Sequence, residues 1–395
     1  MADLPKLLYL ADVPVEASYH GSALLYRLLQ RYPTNQLLVV EGNLSVSREE
    51  LRLQAVRYES LDIGYARLLN SRFHESYSRW LAWRSSDRTR RVPALLKGFE
   101  PDAVMTVAHG YSWVTAARYA ADNRLPLHLV IHDDWPSVAP SAMQAGVQRR
   151  FGEVYRQAAS RLCVSPQMVR EFDRRYGATG VVLYPARDAD AKSFPGPPDR
   201  IRCEGRPPVF AFAGTVNSPG YARLLNQVAD CLDPLGGHLL LFGPVTAELA
   251  PSVGLGHPRI RVCGLLPAGE LMTRLRNEAD VLVVPMSFAP EDRMNMQFSF
   301  PSKLTDYTAM ALPLLIYGPS YCSAVQWAEA HPGVAESVTS EEDDALVTAI
   351  GRLAGDLAHR WRLAGHAKAV GDQMFSASEA HSVFVGALMA GAPRR

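Results

Sequence analysis

Short apolar runs that end in polar or small residues alternate with helical patterns along the chain. In the first half these runs are KLLYLAD (6–12), QLLVVEG (36–42), DAVMTVAHG (102–110) and PLHLVIHDD (126–134). Continuous apolar strands that alternate with helices are typical of a parallel sheet buried on both faces. The first half is therefore predicted to be a doubly wound α/β domain.

The same pattern begins again after residues 191–208, which are rich in proline, glycine and charge, as interdomain linkers are. The later apolar runs are VFAFAGT (209–215), HLLLFGP (238–244), RIRVCGLL (259–266), DVLVVPM (280–286) and LPLLIYG (312–318). The sequence thus predicts a first α/β domain over 1–190, a linker over 191–208 and a second α/β domain over 209–371. SEAHSVFVGALM (378–389) predicts a last helix within a C-terminal segment, 372–395.

Residues that follow the strands are the candidates for ligand binding, because ligands bind at the carboxyl ends of parallel strands. In the second domain these include Gly214, Thr215, Gly243 and Ser287, and small residues let a backbone approach a ligand closely. None of the glycines forms the GxGxxG or GxxxxGK[ST] fingerprint, so no dinucleotide cofactor or P-loop is predicted. In the first domain the loop Tyr19-His20-Gly21 and His132 are candidates for binding a separate substrate, the acceptor of a transferred group.

The stretch FSFPSKLTDYTAMALPLLIYG (298–318) predicts a helix that begins after Pro301 and stops at Leu312-Pro313. Lys303 then lies in the first turn, where the helix dipole disfavours a cation. A phosphate or diphosphate bound by Ser302, its neighbours and Lys303 would offset that placement. Asp306, one turn later, would accept hydrogen bonds from the vicinal hydroxyls of a ribose. The alternative is an i,i+3 surface pair between Lys303 and Asp306 with no ligand.

His132-Asp133-Asp134 forms a second polar cluster, at the end of a strand predicted to be buried. Adjacent carboxylates repel unless a partner neutralises them, so this cluster is a candidate for a general base or for a ligand contact. The alternative is that Asp134 only caps the following turn. His109, after the neighbouring strand, could bind the same ligand. The spacing of these residues does not indicate a metal site.

The bulk composition changes this picture little. The net charge of +1 neither favours nor excludes nucleic acid, and no nucleic-acid partner is predicted. The five cysteines are scattered, which is typical of reduced thiols in a cytoplasmic protein. The N-terminus does not resemble a signal peptide. Residues 72–98 are locally basic, with arginines among Tyr77, Trp80 and Trp83. They are interpreted as an ordinary helix, as an acceptor groove, or as a peripheral contact with the inner face of a membrane.

Two segments of the second half, RNEADVLVVP (276–285) and PSKLTDYTAMALPLL (301–315), resemble the donor-binding domain of GT-B glycosyltransferases. The similarity is greatest to the retaining family four (glycosyl transferases group 1) and extends over nearly the whole chain. It implies two facing Rossmann-like α/β domains, with a C-terminal helix that returns toward the first. It also implies a metal-independent hexosyltransferase without a cofactor. Such an enzyme takes a UDP- or GDP-sugar as its donor and a glycan, lipid-linked or small-molecule acceptor.

The resemblance also assigns roles to individual residues. It places Lys303 at the donor diphosphate, Asp306 at the ribose and His109 at the donor sugar, with Gly214 and Thr215 beside the phosphates. Together with the strand-end argument it gives a predicted donor site and a predicted catalytic set. The donor site comprises Gly214, Thr215, Gly243, Ser287, Ser299, Ser302, Lys303 and Asp306. The catalytic set comprises His109, Asp133, Asp134 and Lys303.

The sequence departs from the family at one position. The family commonly has two glutamates eight residues apart, and here Phe298 stands at the first position and Asp306 at the second. Backbone N–H groups around Gln297 to Ser299 are then expected to bind the donor sugar. With retention of configuration the donor phosphate accepts the proton, whereas with inversion Asp133 or Asp134 would be the base. A nucleotide-sugar epimerase, or a binding protein that has lost catalysis, remains an alternative.

Overall fold

The computed structural model describes residues 4–18, 20–192, 194–216 and 218–391. The chain divides into two compact units, Met1–Ala189 with Ala377–Arg395, and Asp190–Ser376. Each unit contains one parallel sheet with helices between the strands. None of the described helices combines the length and the hydropathy needed to cross a bilayer.

The first unit contains a seven-stranded sheet in the order β3-β2-β1-β4-β5-β6-β7. Its strands are β1 (Leu7–Ala11), β2 (Leu37–Gly42), β3 (Arg57–Leu61), β4 (Ala103–Val107), β5 (Leu127–Ile131), β6 (Ser160–Cys163) and β7 (Val181–Val182). Its helices are α1 (His20–Leu29), α2 (Ala66–Leu69), α3 (His74–Arg84), α4 (Val92–Leu96), α5 (Ser112–Asp122), α6 (Trp135–Val138), α7 (Ser141–Gln157), α8 (Pro166–Tyr176) and α16 (Ala377–Ala390). The strand order reverses between β1 and β4, the kind of position where doubly wound sheets bind ligands.

The second unit contains a six-stranded parallel sheet in the order β10-β9-β8-β11-β12-β13. Its strands are β8 (Val209–Ala213), β9 (His238–Phe242), β10 (Ile260–Gly264), β11 (Val281–Pro285), β12 (Leu314–Tyr317) and β13 (Glu336–Val338). Its helices are α9 (Pro219–Leu232), α10 (Ala268–Glu278), α11 (Arg293–Phe298), α12 (Lys303–Ala309), α13 (Ser323–Ala330), α14 (Asp343–Gly355) and α15 (Leu357–Met374). Here the order reverses between β8 and β11.

The central strands are buried along their whole length, which is why they read as continuous apolar runs rather than as alternating ones. The last helix, α16, contacts α1 and β6 of the first unit. Its Phe384 is fully buried there, and the ring centroid lies 6.2 Å from that of Tyr32. The prediction of two doubly wound α/β sheets, with a C-terminal helix that returns to the first, is therefore confirmed.

The described residues of the segment 191–208, whose composition indicated a linker, belong to the second unit. A 3₁₀ turn covers Asp199–Arg202, and Ile201 within it is fully buried. Arg206 donates from Nη1 to Oδ2 of the buried Asp280 over 2.8 Å, and the same oxygen accepts the Val209 N–H. This charge-assisted pairing fixes the segment at the start of β8.

The helix predicted between Pro301 and Leu312 is shorter than expected. α12 ends at Ala309, and Ala311 follows with a left-handed φ of 51° that cannot continue a helix. The chain then enters β12 at Leu314, as the apolar run predicted.

Candidate functional site

Two glycines follow neighbouring strands of the second sheet and are packed directly on each other. The Gly214 N–H donates to the Phe242 carbonyl over 2.9 Å, and the Gly243 N–H donates to the Gly264 carbonyl over 3.0 Å. A Cβ on Gly243 would lie 2.3 Å from the Gly214 oxygen, well inside van der Waals contact. Gly214 and Gly243 also have φ angles of 151° and 154°, which favour glycine. The edge of the sheet here consists of bare backbone.

The Lys303 side chain lies against this edge. Its Nζ is 4.3 Å from the ring centroid of Phe212 and 5.9 Å from that of Tyr221. The same atom is 3.4 Å from the position that a Cβ on Gly214 would occupy. Burial lowers the pKa of Lys303 from 10.5 to about 7. The first turn of α12 therefore places the ammonium group of Lys303, from which burial removes hydration, at the end of β8.

Within the described residues no carboxylate forms an ion pair with Lys303. The i,i+3 surface pair with Asp306, which the sequence left open, is therefore absent from this structure. Asp306 lies one turn further along α12 and is partly exposed. An ammonium held by aromatic rings without an anionic partner can accept an anionic ligand.

The other residues of the predicted donor site differ in burial. Thr215 and Ser302 are partly exposed, and Ser302 directly precedes α12. Ser287 is fully buried, with its N–H directed at Met296 Sδ over 3.2 Å. A Cβ on Gly220 would lie 2.2 Å from Ser287 Oγ, so this serine lies beneath the start of α9 rather than at a ligand surface.

The segment around Phe298 differs from the expectation that its backbone binds the donor sugar. The Ser299 N–H donates to the Asn295 carbonyl over 3.0 Å, which closes the last turn of α11. The Ser299 carbonyl accepts from Ser323 Oγ over 2.5 Å. Both backbone groups of Ser299 are therefore engaged, and the Phe298 side chain is buried. The expectation was wrong for Ser299 because the helix extends to Phe298.

In the first unit, His109 and His132 follow the adjacent strands β4 and β5. His109 is exposed, and its ring centroid lies 4.6 Å from that of Trp135. Burial lowers the pKa of His132 to about 4, so its imidazole is neutral near pH 7. A Cβ on Gly21 would lie 3.1 Å from His132 Nδ1, so these two predicted acceptor residues are neighbours. Tyr19 and the side chain of His20 fall outside the part of the chain that the structure describes.

Asp134 has a structural partner. Its Oδ2 accepts from Arg175 Nη1 over 2.7 Å and from Ser137 Oγ over 2.7 Å, and the residue is buried. Asp134 stands at the N-cap of α6, but its carboxylate makes no side-chain cap to that turn and pairs with Arg175 and Ser137 instead. Asp134 is thus engaged with protein partners, and the partly exposed Asp133 is the more accessible of the two candidates for a base.

Asp12, which follows β1 at the reversal point, was a candidate by its position at a strand end, but the sequence predicted no specific partner for it. Its carboxylate accepts the Ser112 N–H over 2.8 Å and also the Tyr111 N–H, so it caps α5. A Cβ on Gly110 would lie 2.3 Å from Asp12 Oδ2, which explains the glycine there. An aspartate directly after the first strand was the available signal, but its partner is about 100 residues distant, and only the fold brings the two together.

A cavity of about 520 Å³ is lined in part by Arg79 and Trp83 of residues 72–98, for which an acceptor groove was one of the interpretations. It lies within the first unit, among α3, the start of α5, α6 and α7. Its walls include the aromatic side chains of Trp83, Trp113 and Trp135 and the guanidinium groups of Arg79, Arg149 and Arg150. The described residues contain no group of three or more His, Cys, Asp or Glu side chains arranged to hold a metal ion.

Comparisons with known proteins agree with this architecture. Residues 45–191 match the model of the family described as Glycosyltransferase Family 4. A search of curated proteins gives no match. HepE of Anabaena in complex with UDP and glucose superposes with a TM-score of 0.69 at 16% identity, over 98% of this chain and 99% of HepE. HepE has also been crystallised with UDP-glucose.

Two further solved structures are similar over almost their full lengths. Sucrose-phosphate synthase of Thermosynechococcus elongatus gives a TM-score of 0.66 at 15% identity, over 97% of this chain and 98% of that protein. WaaG, a glycosyltransferase involved in lipopolysaccharide biosynthesis, gives a TM-score of 0.63 at 14% identity, over 97% of this chain and 99% of WaaG. The chain therefore has the GT-B fold, as the sequence resemblance implied.

Proposed function

We propose that this GT-B chain is a glycosyltransferase whose second unit binds a nucleoside-diphosphate sugar and whose first unit binds the acceptor. The observation that carries the proposal is the position of Lys303. This desolvated cation lies beside the bare backbone of Gly214 and has no carboxylate partner among the described residues. A diphosphate supplies the missing negative charge, and the small residue lets it approach the backbone.

Uridine or guanosine is the proposed base of the donor, and a hexose is the proposed sugar. The complexes of HepE with UDP and with UDP-glucose support the uridine donor. Asp306, one turn after Lys303, is proposed to accept hydrogen bonds from the ribose hydroxyls. Thr215 and Ser302, which are partly exposed at the same edge, are proposed to donate to the phosphates.

In the proposed reaction, negative charge develops on the diphosphate as the bond to the sugar breaks. Lys303 is placed to stabilise that charge in a low-dielectric setting, where an ammonium has its largest effect. Lys303 thus takes the part that a divalent cation plays elsewhere, and the transferase is proposed to be metal-independent. Transfer is proposed to retain configuration, with the donor phosphate accepting the acceptor proton. If it inverts, Asp133 rather than the ion-paired Asp134 is the base.

A second candidate function is nucleotide-sugar binding without catalysis. The buried Phe298 favours it, because an apolar ring cannot replace the hydrogen bonds of the glutamate that the family commonly carries. Both candidates bind the donor, but only a transferase breaks the bond between the sugar and the diphosphate.

The test begins with thermal shifts in the presence of UDP, GDP, ADP and TDP. A nucleotide at about 100 times its dissociation constant adds about 2.7 kcal/mol to the free energy of unfolding. The sugar donor of the stabilising nucleotide is then incubated with the protein, and release of the nucleoside diphosphate is followed. Slow release that depends on Lys303 supports the transferase. Binding without release supports the second candidate, and the absence of any stabilising nucleotide contradicts both.

The protein is proposed to act in the cytoplasm, with peripheral contact to the inner face of a membrane through residues 72–98. In the structure this stretch exposes Phe73, Trp80 and Trp83, with exposed fractions of 53%, 45% and 70%. Exposed aromatic rings next to arginines are typical of surfaces that bind anionic lipid. Arg88 is not part of that surface, because it is buried and donates to the carbonyls of Leu81 and Ile63.

A further inference from the structure

The cavity in the first unit has the size and the aromatic lining of a ligand site. Its volume of about 520 Å³ falls within the range of about 300–1,000 Å³ that is typical of small-molecule pockets. Trp83 comes from α3, and Trp135 comes from α6. Indole faces of this kind stack on sugar rings and cover isoprenoid chains.

Three arginines line this cavity without carboxylate partners. Arg79, Arg149 and Arg150 form no ion pair with any described residue, although Glu153 lies one helical turn from both α7 arginines. Three other surface arginines of the same unit do have carboxylate partners. Arg84 lies 3.8 Å from Asp87, Arg91 lies 3.3 Å from Asp62, and Arg118 lies 2.9 Å from Asp122. The cavity wall therefore carries three guanidinium groups that no described carboxylate neutralises.

The cavity also adjoins the predicted catalytic histidine. Gly110 and Tyr111 line it, and they directly follow His109 at the end of β4. Trp135 lines it as well, with its ring centroid 4.6 Å from that of His109. The carboxylate of Asp12 holds the backbone of Tyr111 and Ser112 in place. A molecule seated in the cavity thus extends toward the edge of the sheet where ligands bind.

We propose that this cavity binds the phosphate or diphosphate group of the acceptor. The arginines donate hydrogen bonds to the anionic group. Trp83 and Trp135 pack on the sugar ring or lipid chain attached to that group. The inference rests on the proposed function, because it names the chemical class of the acceptor. A lipid-linked diphosphate and a soluble sugar phosphate share this chemistry.

The test measures binding by tryptophan fluorescence and calorimetry with farnesyl diphosphate, glucose 6-phosphate, neutral octyl glucoside and phosphatidylglycerol vesicles. The test variant is Arg149→Gln/Arg150→Gln. A matched control is Arg156→Gln, an exposed arginine of the same helix that does not line the cavity. At least one phosphorylated probe should bind the wild type and the control. It should bind the double variant about 10- to 100-fold more weakly, the effect of losing charge-assisted hydrogen bonds.

Two further variants refine the test. Arg149→Lys/Arg150→Lys keeps the charge and should lose less affinity than the glutamine pair. Trp83→Ala removes a ring that is already 70% exposed, so the fold should tolerate it. The substitution should weaken the binding of farnesyl diphosphate or of glucose 6-phosphate, whichever binds. It should leave the affinity for inorganic pyrophosphate unchanged.

Each result decides the proposal. Tighter binding of farnesyl diphosphate identifies a lipid-linked acceptor, and tighter binding of glucose 6-phosphate identifies a soluble one. The proposal is overturned if neither phosphorylated probe binds, if the double variant binds them as the wild type does, or if octyl glucoside binds equally well. Binding confined to vesicles overturns it in favour of a membrane surface. UDP affinity, measured on the same variants and on Lys303→Met, tests the donor site separately.

Discussion

The ammonium group of Lys303 lies 4.3 Å from the centre of the Phe212 ring, at the end of the strand that carries that ring. An aromatic face returns about 0.5–2 kcal/mol to a cation. That is less than the hydration which burial removes, and the pKa of Lys303 accordingly falls to about 7. In the free protein near neutral pH the side chain is thus divided between its charged and neutral forms. An anionic ligand is the component that would fix it in the charged form.

Replacing Lys303 by methionine should weaken binding of the nucleotide sugar by about 1.5–3 kcal/mol, the contribution of a hydrogen bond to a charged group. Methionine keeps much of the apolar stem and its packing on Phe212. Calorimetric titration with UDP-glucose, or with the donor of whichever nucleotide stabilises the protein, measures the change. The control is Lys192→Met, because Lys192 is exposed and its hydrogen bond within the described part of the chain is to Thr273 of the same unit. Wild-type affinity in Lys303→Met would contradict the donor assignment.

Donor affinity should also depend on pH in a direction that the pKa of Lys303 fixes. Bound diphosphate raises that pKa above about 7, so at higher pH binding must take up a proton. Affinity should be level below about pH 6 and should fall above pH 7, by up to tenfold per pH unit. Titrations of a nucleotide sugar between pH 6 and 9 measure it, because its diester phosphates do not titrate there. Lys303→Arg keeps its charge and should give a flat profile. The same slope in both proteins would assign the titration to another group.

The strands were predictable because burial on both faces leaves a local trace in the sequence. β1 and β12 are apolar at every position, and so they could be identified without knowledge of their neighbours. Lys303 could be singled out as a candidate ligand-binding residue for a related reason. A cation in the first turn of a helix is locally unfavourable, and that conflict is visible within a few residues.

Features that depend on distant partners left no such trace. Arg88 lies in a run of arginines that looks uniformly exposed, yet its guanidinium is buried against the carbonyls of Ile63 and Leu81. Asp280 fixes Arg206 more than 70 residues earlier in the chain, which is why composition alone indicated a linker. The aromatic and basic cavity combines residues 79–85, 110–114 and 135–153, and no single segment reveals it.

Gly243→Ala should be strongly destabilising, by about 2–4 kcal/mol, because the added methyl would lie 2.3 Å from the Gly214 oxygen at a φ that disfavours alanine. It should also disturb the backbone on which the donor is proposed to rest. The contrasting change is Gly365→Ala, in the middle of α15 with open space around it. It should raise the free energy of unfolding by about 0.5–1 kcal/mol. Urea unfolding measures both. Equal stability of the two variants would refute the close approach of Gly214 and Gly243.

Asp134→Asn should lower the free energy of unfolding by about 1.5–3 kcal/mol, because it removes a charge-assisted hydrogen bond from Arg175, which keeps its second carboxylate partner, Glu171. The combined change Asp134→Asn/Glu171→Gln should cost more stability than Asp134→Asn alone, since Arg175 then loses both carboxylates. Urea unfolding gives the free energies, and nucleotide release gives the activity of the folded fraction. If Asp134→Asn left stability intact and abolished activity, Asp134 rather than Asp133 would be the catalytic carboxylate.

Contact with anionic membranes should depend on the exposed arginines of residues 72–98 and not on Arg88. Arg72 and Arg90 are exposed, and each basic residue near an anionic surface contributes about 1 kcal/mol. Arg72→Ser/Arg90→Ser should therefore reduce flotation with phosphatidylglycerol vesicles at low salt by about 30-fold, while Arg156→Ser on α7 should change it less. Arg88→Ser should instead lower the unfolding free energy, because two buried carbonyls lose their donor. Flotation that persists undiminished in the double variant would remove the membrane contact. The exposed rings of Trp80 and Phe73 would then be expected to contact a partner other than a membrane.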